Sequence, residues 1–196
     1  MGDARSGTEQ PRLRTATAAD LPAAFGVFRR SLFDYLHRIG MVTAEEAANP
    51  QIDEPWSRQR HWIEHLSATA AESWVAEDAA GRVIGWALSV ERDGVLELTH
   101  FFVEPGVQAA GLGRALLDRA FPRDRGRHRV IIATQDPSAV SLYLRSGVGH
   151  VATSVELARR PEPRSVETDL ALERLAPGAD AVAAIGDLEA RLRGHR

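Results

Sequence analysis

The stretch GVQAAGLGRALLDRA, residues 106–120, places Gly111 and Gly113 where the chain turns into an amphipathic helix. Glycine removes side chains at such a turn, so backbone N–H groups stand free, and the start of the helix adds partial positive charge. That combination suits an anion: a phosphate of a mononucleotide, of a dinucleotide or of coenzyme A. A tight strand-to-helix turn without a ligand explains the same glycines. Arg114, at the helix start, could add a charge-assisted contact to phosphate. A second feature is HWIEH, residues 61–65, which reads H-x-x-E-H. His61 and His65 would share a helix face and could bind a metal, but no residue is singled out as a third ligand. Two plainer readings are that this helix, with Trp56 and Trp62, walls a substrate pocket, or that Trp62 and Leu66 face the core and the histidines face water.

Positioning these residues requires elements before and after them. Leu13–Ala16 reads as a short strand. Thr17 and Asp20 make a capping box, and Leu21, Phe25, Phe28, Leu32 and Leu36 recur at helical spacing, which predicts a helix to about Ile39. Gly40, Pro50 and Pro55 predict a loop over 40–55 with a turn of helix at Ala44–Ala48. Arg58–Leu66 is helical again. The period then changes to two: Ser73–Glu77, Val83–Glu91 and Val95–Val103 read as strands. Ala79, Ala80 and Gly81 turn the first into the second, and Asp93-Gly94 is a strong hairpin signal between the second and third. A helix over Gly111–Phe121 carries Leu112, Ala115, Leu116 and Ala120 on its apolar face. Val130–Thr134 reads as a buried strand, and Ser138–Ser146 as a helix ended by Gly147. Val151–Leu157 and Val166–Leu172 read as a last hairpin around Pro161 and Pro163, and Ala181–Leu192 as a last helix. The order predicts an α/β fold, a mixed and mostly antiparallel sheet flanked by helices. The helix after residue 110 crosses between two strands expected to lie parallel, a sensible place for a phosphate-binding loop.

This order of elements, with these residues, resembles the GNAT superfamily of N-acetyltransferases over about residues 12–172. The family's Q/R-x-x-G-x-G/A stands here as Gln108-Ala109-Ala110-Gly111-Leu112-Gly113. Its N-x-x-A-x-x-L-Y…G-F pattern stands as Asp136, Ala139, Leu142, Tyr143, Gly147 and Val148, with Asp136 in place of Asn and Val148 in place of Phe. WVAEDAAGRVIGWA looks like its second and third strands. The resemblance implies the acyl-CoA N-acyltransferase (GNAT) fold, with acetyl-coenzyme A as co-substrate and no metal. It implies that amides of residues 108–114 hold the pyrophosphate, with Asp136 part of the same binding pattern. It also implies that Phe101, Phe102 and Val103 pair with the pantetheine as an added strand would, which needs the neighbouring strand to splay away. Tyr143 stands where the family's tyrosine protonates or hydrogen-bonds the coenzyme A sulfur, and a phenol of pKa about 10 can donate at neutral pH. Packing of its ring on the sheet is compatible with that role. Glu97, six residues before Val103, stands where the histone-acetylating branch carries its general base. By alternation Glu97, Thr99, Phe101 and Val103 share one strand face, which would turn Glu97 toward the cleft. An exposed residue paired across the sheet is the alternative, and His100, on the opposite face, is a second candidate base.

The 196 residues suffice for one good core, or for one domain with an appendage. A net charge of −3 offers no basic face for general nucleic-acid binding. There is no lysine, and no cysteine. The latter excludes disulfides, thiolate zinc sites and an acyl-cysteine intermediate, so direct transfer in a ternary complex is the natural route. No apolar run is long enough to cross a bilayer. The polar start, MGDARSGTEQP, reads as a disordered lead-in over residues 1–11 of a cytoplasmic protein, and meets only the bare myristoylation pattern. The third glycine of a dinucleotide fingerprint would fall at Leu116, and three antiparallel strands come first, against a Rossmann domain. No G-K-S/T follows the loop, so a P-loop is ruled out. The expected domain runs over 12–174, followed by a C-terminal helix over 175–196. RLAPGADAVAAIGDLEARL, from residue 174, repeats eight residues of RTATAADLPAAFGVFRRSL, from residue 14. The tail therefore either begins a second repeat that stops early, or is an ordinary helix packing on the domain or a partner subunit. The expected function is N-acetyl transfer from acetyl-coenzyme A to a primary amine, carried by a small molecule or a peptide. Neither nucleic acid nor membrane is an expected partner, and a homodimer is open. The alternative is a non-catalytic, coenzyme A-binding regulatory module of the same fold. Asp53 and Glu54 mildly favour a cationic acceptor, and solvated surface charge explains them equally.

Overall fold

In the computed structural model, which describes residues 10–107, 111–155, 167–169, 171, 174, 176 and 178–193, the chain opens with strand β1 (Arg12–Thr15). Asp20 accepts hydrogen bonds from the Thr17 N–H (2.7 Å) and hydroxyl (2.8 Å), the expected capping box, and starts a 3-10 turn that runs into α1 (Leu21–Arg38). Arg14 fixes this corner. Its guanidinium bonds both oxygens of Asp20 and also Glu77, tying the helix start to two strands. Hydrogen bonds from Arg14 hold the Asp20 carboxyl well below its ordinary range. After α2 (Ala44–Ala48), helix α3 (Asp53–Ala68) leads into β2 (Glu72–Glu77), β3 (Val83–Arg92) and β4 (Val95–Val103). Asp93 and Gly94, both at positive φ (51° and 79°), make the turn between β3 and β4. Then come α4 (Leu112–Ala120), β5 (His128–Ile131) and α5 (Pro137–Arg145).

The sheet order is β1-β2-β3-β4-β5, antiparallel except for β4 and β5, which are parallel with α4 as the crossover. One face carries Leu21, Phe25 and Val27 of α1 and Ile63 of α3 against Val75, Trp86 and Leu88. The other carries Leu112, Leu116, Leu117 and Ala120 of α4 against Ala87, Leu96, Leu98 and Val103. Burial of these faces is what makes the amphipathic segments helical in context, since helices this short are marginal alone. The described residues fall into two compact units, 1–152 and 153–196. The second contains α6 (Ala179–Arg193), a helix whose Val182, Ile185, Leu188 and Leu192 are exposed.

Four expectations are corrected. Helix α3 begins at Asp53 rather than after the loop to residue 55, because Pro55 sits in the first turn, where its missing N–H has no intrahelical partner to lose. Asp53 and Glu54 are consequently first-turn acids that complement the helix dipole. Strand β5 is His128–Ile131, earlier than the expected Val130–Thr134, and Val130 is 42% exposed. It pairs on one side only among the described residues, so it is an edge rather than a doubly covered strand. Residues 151–155 and 167–169 carry no strand: Val151 and Val155 are 96% and 74% exposed, so alternation finds no face to bury. Of the rest of that expected hairpin, residues 156–166, 170 and 172 lie outside the described residues.

The fourth correction concerns β4. Ser89 pairs with Leu98 and Leu88 pairs with His100, leaving Thr99 as an extra residue, a β-bulge. The Thr99 hydroxyl donates to the Leu88 carbonyl at 3.1 Å. One inserted residue exchanges the faces of everything beyond it. Cross-strand partners share a face, so Glu97, His100 and Phe102 stand opposite Val90, Leu88 and Trp86, on the α1/α3 side. Leu98, Phe101 and Val103 look toward α4. Glu97 therefore does not share a face with Phe101 and Val103.

His100 is buried, with its ring 4.4 Å from that of Trp86 and 5.7 Å from that of Trp62. Burial pushes its pKa down from 6.5 to about 4. The folded state thus resists a proton that the unfolded chain accepts below about pH 6.5, so stability present at neutral pH is lost as pH falls toward 4. Urea unfolding is expected to show a loss of about 2 kcal/mol between roughly pH 7 and pH 5. A His100→Gln chain is expected to lack most of that loss, and equal pH slopes for the two chains would refute the assignment.

Candidate active site

Pairing between β4 and β5 runs from Val95 opposite His128 to Leu98 opposite Ile131 and stops there, at the bulge. Beyond Leu98, no described strand covers that side of β4. The Glu104 N–H bonds the Ile84 carbonyl (2.9 Å), which sets the parity of the ladder. Phe102 and Glu104 turn their polar groups to β3, and Phe101 and Val103 turn theirs to the open side. The Ser31 hydroxyl of α1 confirms the direction by donating to the Val103 carbonyl at 2.9 Å.

The opening is a cavity of about 790 Å³. Its walls come from Ser31, Tyr35 and Arg38 of α1, from Thr99, Phe101, Phe102 and Val103 on one strand side, and from Ile131–Thr134 on the other. Gly111, Gly113 and Arg114 line the end at the start of α4, and Asp136 and Tyr143 line the α5 wall. Gly111 precedes α4 in a left-handed conformation (φ 81°), which a side chain resists. Gly113 has room for a methyl group and little more: a Cβ there would lie 3.6 Å from the Phe101 ring and 3.7 Å from Leu142.

Tyr143 packs edge-on against Phe101, with ring centroids 5.9 Å apart. Burial, and secondarily the negative charge of Asp136, push its phenol up to about 12. The group is protonated at neutral pH and available as a donor. Asp136 uses one carboxylate oxygen to cap α5, accepting from Ser138 N–H (2.9 Å) and Ala139 N–H (3.0 Å), and the other to accept from Arg38 (2.7 Å). Burial works against its charge, but the helix N–H groups and Arg38 prevail and hold its carboxyl below the ordinary value.

Of the residues singled out from sequence, Phe101, Phe102, Val103, Gly111, Gly113, Arg114, Asp136 and Tyr143 come together around this cavity. Leu112 buries its side chain under the sheet, so only its backbone faces outward. Glu97 does not line the cavity. Gln108, Ala109 and Ala110 lie outside the described residues. Trp56 and Trp62 do not wall the cavity either: Trp56 packs on Phe25 at 5.4 Å, and Trp62 covers His100. His61 and His65 are exposed on α3, and no group of three metal-ligating side chains converges among the described residues. Ser31, Tyr35 and Arg38 were not anticipated. Their signal is a polar stripe at helical spacing on an otherwise apolar helix face.

The acetyltransferase (GNAT) family matches the chain over residues 38–148. The chain belongs to that family. No curated protein sequence matches it. Among solved structures, the GNAT phosphinothricin acetyltransferase from Sinorhizobium meliloti, in complex with acetyl-coenzyme A, is 25% identical, covers 70% of this chain and 74% of its own, and superposes with a TM-score of 0.50. PaiA N-acetyltransferase from Thermoplasma acidophilum, in complex with coenzyme A, is 17% identical over 70% of this chain and 89% of that one, with a TM-score of 0.51. The ribosomal-protein-S18-alanine N-acetyltransferase from Escherichia coli is 18% identical over 73% and 80%, with a TM-score of 0.52. The mixed sheet is thus the GNAT fold, and among the described residues no helix is long and apolar enough to cross a membrane.

The two glycines of this acetyltransferase-family loop should respond differently to alanine. Gly111→Ala meets the positive φ and is expected to cost about 1 kcal/mol or more in denaturant unfolding. Gly113→Ala has space and an ordinary helical backbone, and is expected to change stability by less than about 0.5 kcal/mol. Equal effects at the two positions would contradict the loop geometry.

Proposed function

We propose that this GNAT protein is an acetyl-coenzyme A-dependent N-acetyltransferase that moves the acetyl group to a primary amine by direct transfer in a ternary complex. The observation that carries the reading is the open edge of β4. Phe101 and Val103 present backbone groups along a cavity that ends at the start of α4 and has the Tyr143 phenol on its wall. In this reading the pantetheine arm lies along Phe101–Val103 as an added strand. The amides of residues 108–114 take the pyrophosphate, with Arg114 alongside. Coenzyme A and acetyl-coenzyme A in the PaiA and phosphinothricin acetyltransferase structures support the same ligand class here.

The transfer needs two proton movements. The neutral amine nitrogen forms a bond to the thioester carbonyl carbon, the carbon–sulfur bond breaks, and sulfur leaves with the electron pair. Tyr143 gives its phenolic proton to that sulfur. In this reading Glu97, which faces the other side of the sheet and is not in the cavity wall, takes the proton that the amine loses through a water relay. Glu97 then passes its proton to solvent and solvent returns one to Tyr143, so that the net products are an amide and a free thiol. With no cysteine in the chain, no acyl-cysteine competes with direct transfer. The position of Glu97 outside the cavity also favours a second reading, a coenzyme A-binding regulatory module without turnover.

Calorimetry with coenzyme A and acetyl-coenzyme A, followed by thiol release with a set of primary amines, tests both readings. The chain contributes no thiol of its own to that assay. Firm binding and amine-dependent thiol release are expected. Tyr143→Phe is expected to lower kcat by about 100-fold while leaving coenzyme A affinity in place. Because the phenol is raised to about 12, no alkaline loss of wild-type activity from Tyr143 is expected near pH 10. Binding without release by any amine leaves the regulatory module, and absence of binding refutes both.

A further inference from the structure

Arg38, the last residue of α1, is held in place before it reaches across the cavity. Its Nε donates to Asp34 (3.0 Å) one turn back, and its guanidinium lies 5.6 Å from the centre of the Tyr35 ring. Its Nη2 then donates to Asp136 at 2.7 Å, 98 residues along the chain. Because the other Asp136 oxygen caps α5, one carboxylate joins the end of α1 to the start of the helix that carries Tyr143. Among the described residues this is the only hydrogen-bonded link between those two helices. The two side chains line the same cavity from opposite walls.

We propose that the Arg38–Asp136 ion pair is a clasp across the mouth of the cleft, and that Arg38 is a positioning residue that keeps the Tyr143 helix closed over the thioester arm. The inference rests on the reading that the arm occupies this cleft. The chemistry suits a contact that opens and recloses. Asp136 is largely covered, but the Arg38 side chain is 47% exposed, so the pair is screened by salt and weak enough to break in each turnover. Asp34 and Tyr35 keep the guanidinium aimed at its partner while the pair is open, which lowers the ordering cost of reclosing. Ser31 and Tyr35 line the cavity on the same side as Arg38, so the closed clasp lies across the groove that holds the arm.

The test uses the full chain and measures coenzyme A release by rapid mixing, alongside the KM for S-acetylpantetheine, which has the same arm without the phosphates. Arg38→Gln removes the cation. Asp136→Asn removes the charge and keeps a good helix cap, so α5 is retained. Each is expected to speed coenzyme A release about two- to fivefold, the range of a half-exposed ion pair. The double variant is expected to be no faster than either single one, because both remove the same contact. The KM for S-acetylpantetheine is expected to rise by the same factor, and added salt to bring wild-type release toward that of the variants. A change confined to thermal stability, additive effects in the double variant, or an effect that vanishes with S-acetylpantetheine would each overturn the clasp. Firm coenzyme A binding with unchanged release would overturn the clasp alone. Failure of the wild-type chain to bind coenzyme A would overturn the functional reading and the clasp together.

Discussion

An unpaired strand edge in the middle of a fold is the constraint on which this protein is built. Backbone N–H and C=O groups held away from water demand partners, and natural sheets seldom leave them open. Here β4 pairs with β5 only as far as Leu98 and Ile131, and the bulge at Thr99 falls at the same level. The bulge bends the strand and supplies its own compensation, since the Thr99 hydroxyl satisfies Leu88. Ser31 covers the Val103 carbonyl. Among the described residues, what is left uncovered is a short run of peptide groups along a cavity, which suits an extended ligand with amides of its own.

The rest of the fold holds that opening rigid. Helix α4 is buried along Leu112, Leu116, Leu117 and Ala120, so core packing brings its first turn to the end of the cavity. On the opposite face, α1 is anchored through Phe25 and Val27 and tied to the end of β4 by the ion pair between Arg30 and Glu104. Two packed faces thus deliver an anion-friendly helix start and a polar helix stripe to the two sides of one cleft.

Burial acts in opposite directions on the two ionisable groups beside β4. His100 loses its proton because the charged imidazolium is the form that burial penalises, whereas Tyr143 keeps its proton because the charged form would be the phenolate. The first result makes His100 a neutral core residue and a poor base. The second makes Tyr143 a persistent donor, and the nearby Asp136 charge reinforces it.

Much of this was legible in the chain itself, because local rules carried it. The capping box at Thr17, the Asp93-Gly94 turn, the helical spacing from Leu21 and the glycines before α4 act over a few residues, and the order of elements pointed to a mixed sheet. Tertiary structure alone decided which side chains meet. A one-residue bulge at Thr99 reversed the face of Glu97, and no alternation pattern records such a slip. The early end of β4–β5 pairing, the exposed edge of β5, and the bond from Arg38 to Asp136 depend on contacts between distant segments. Those contacts are selected by packing the whole sheet between its helices, so no stretch of sequence read alone contains them.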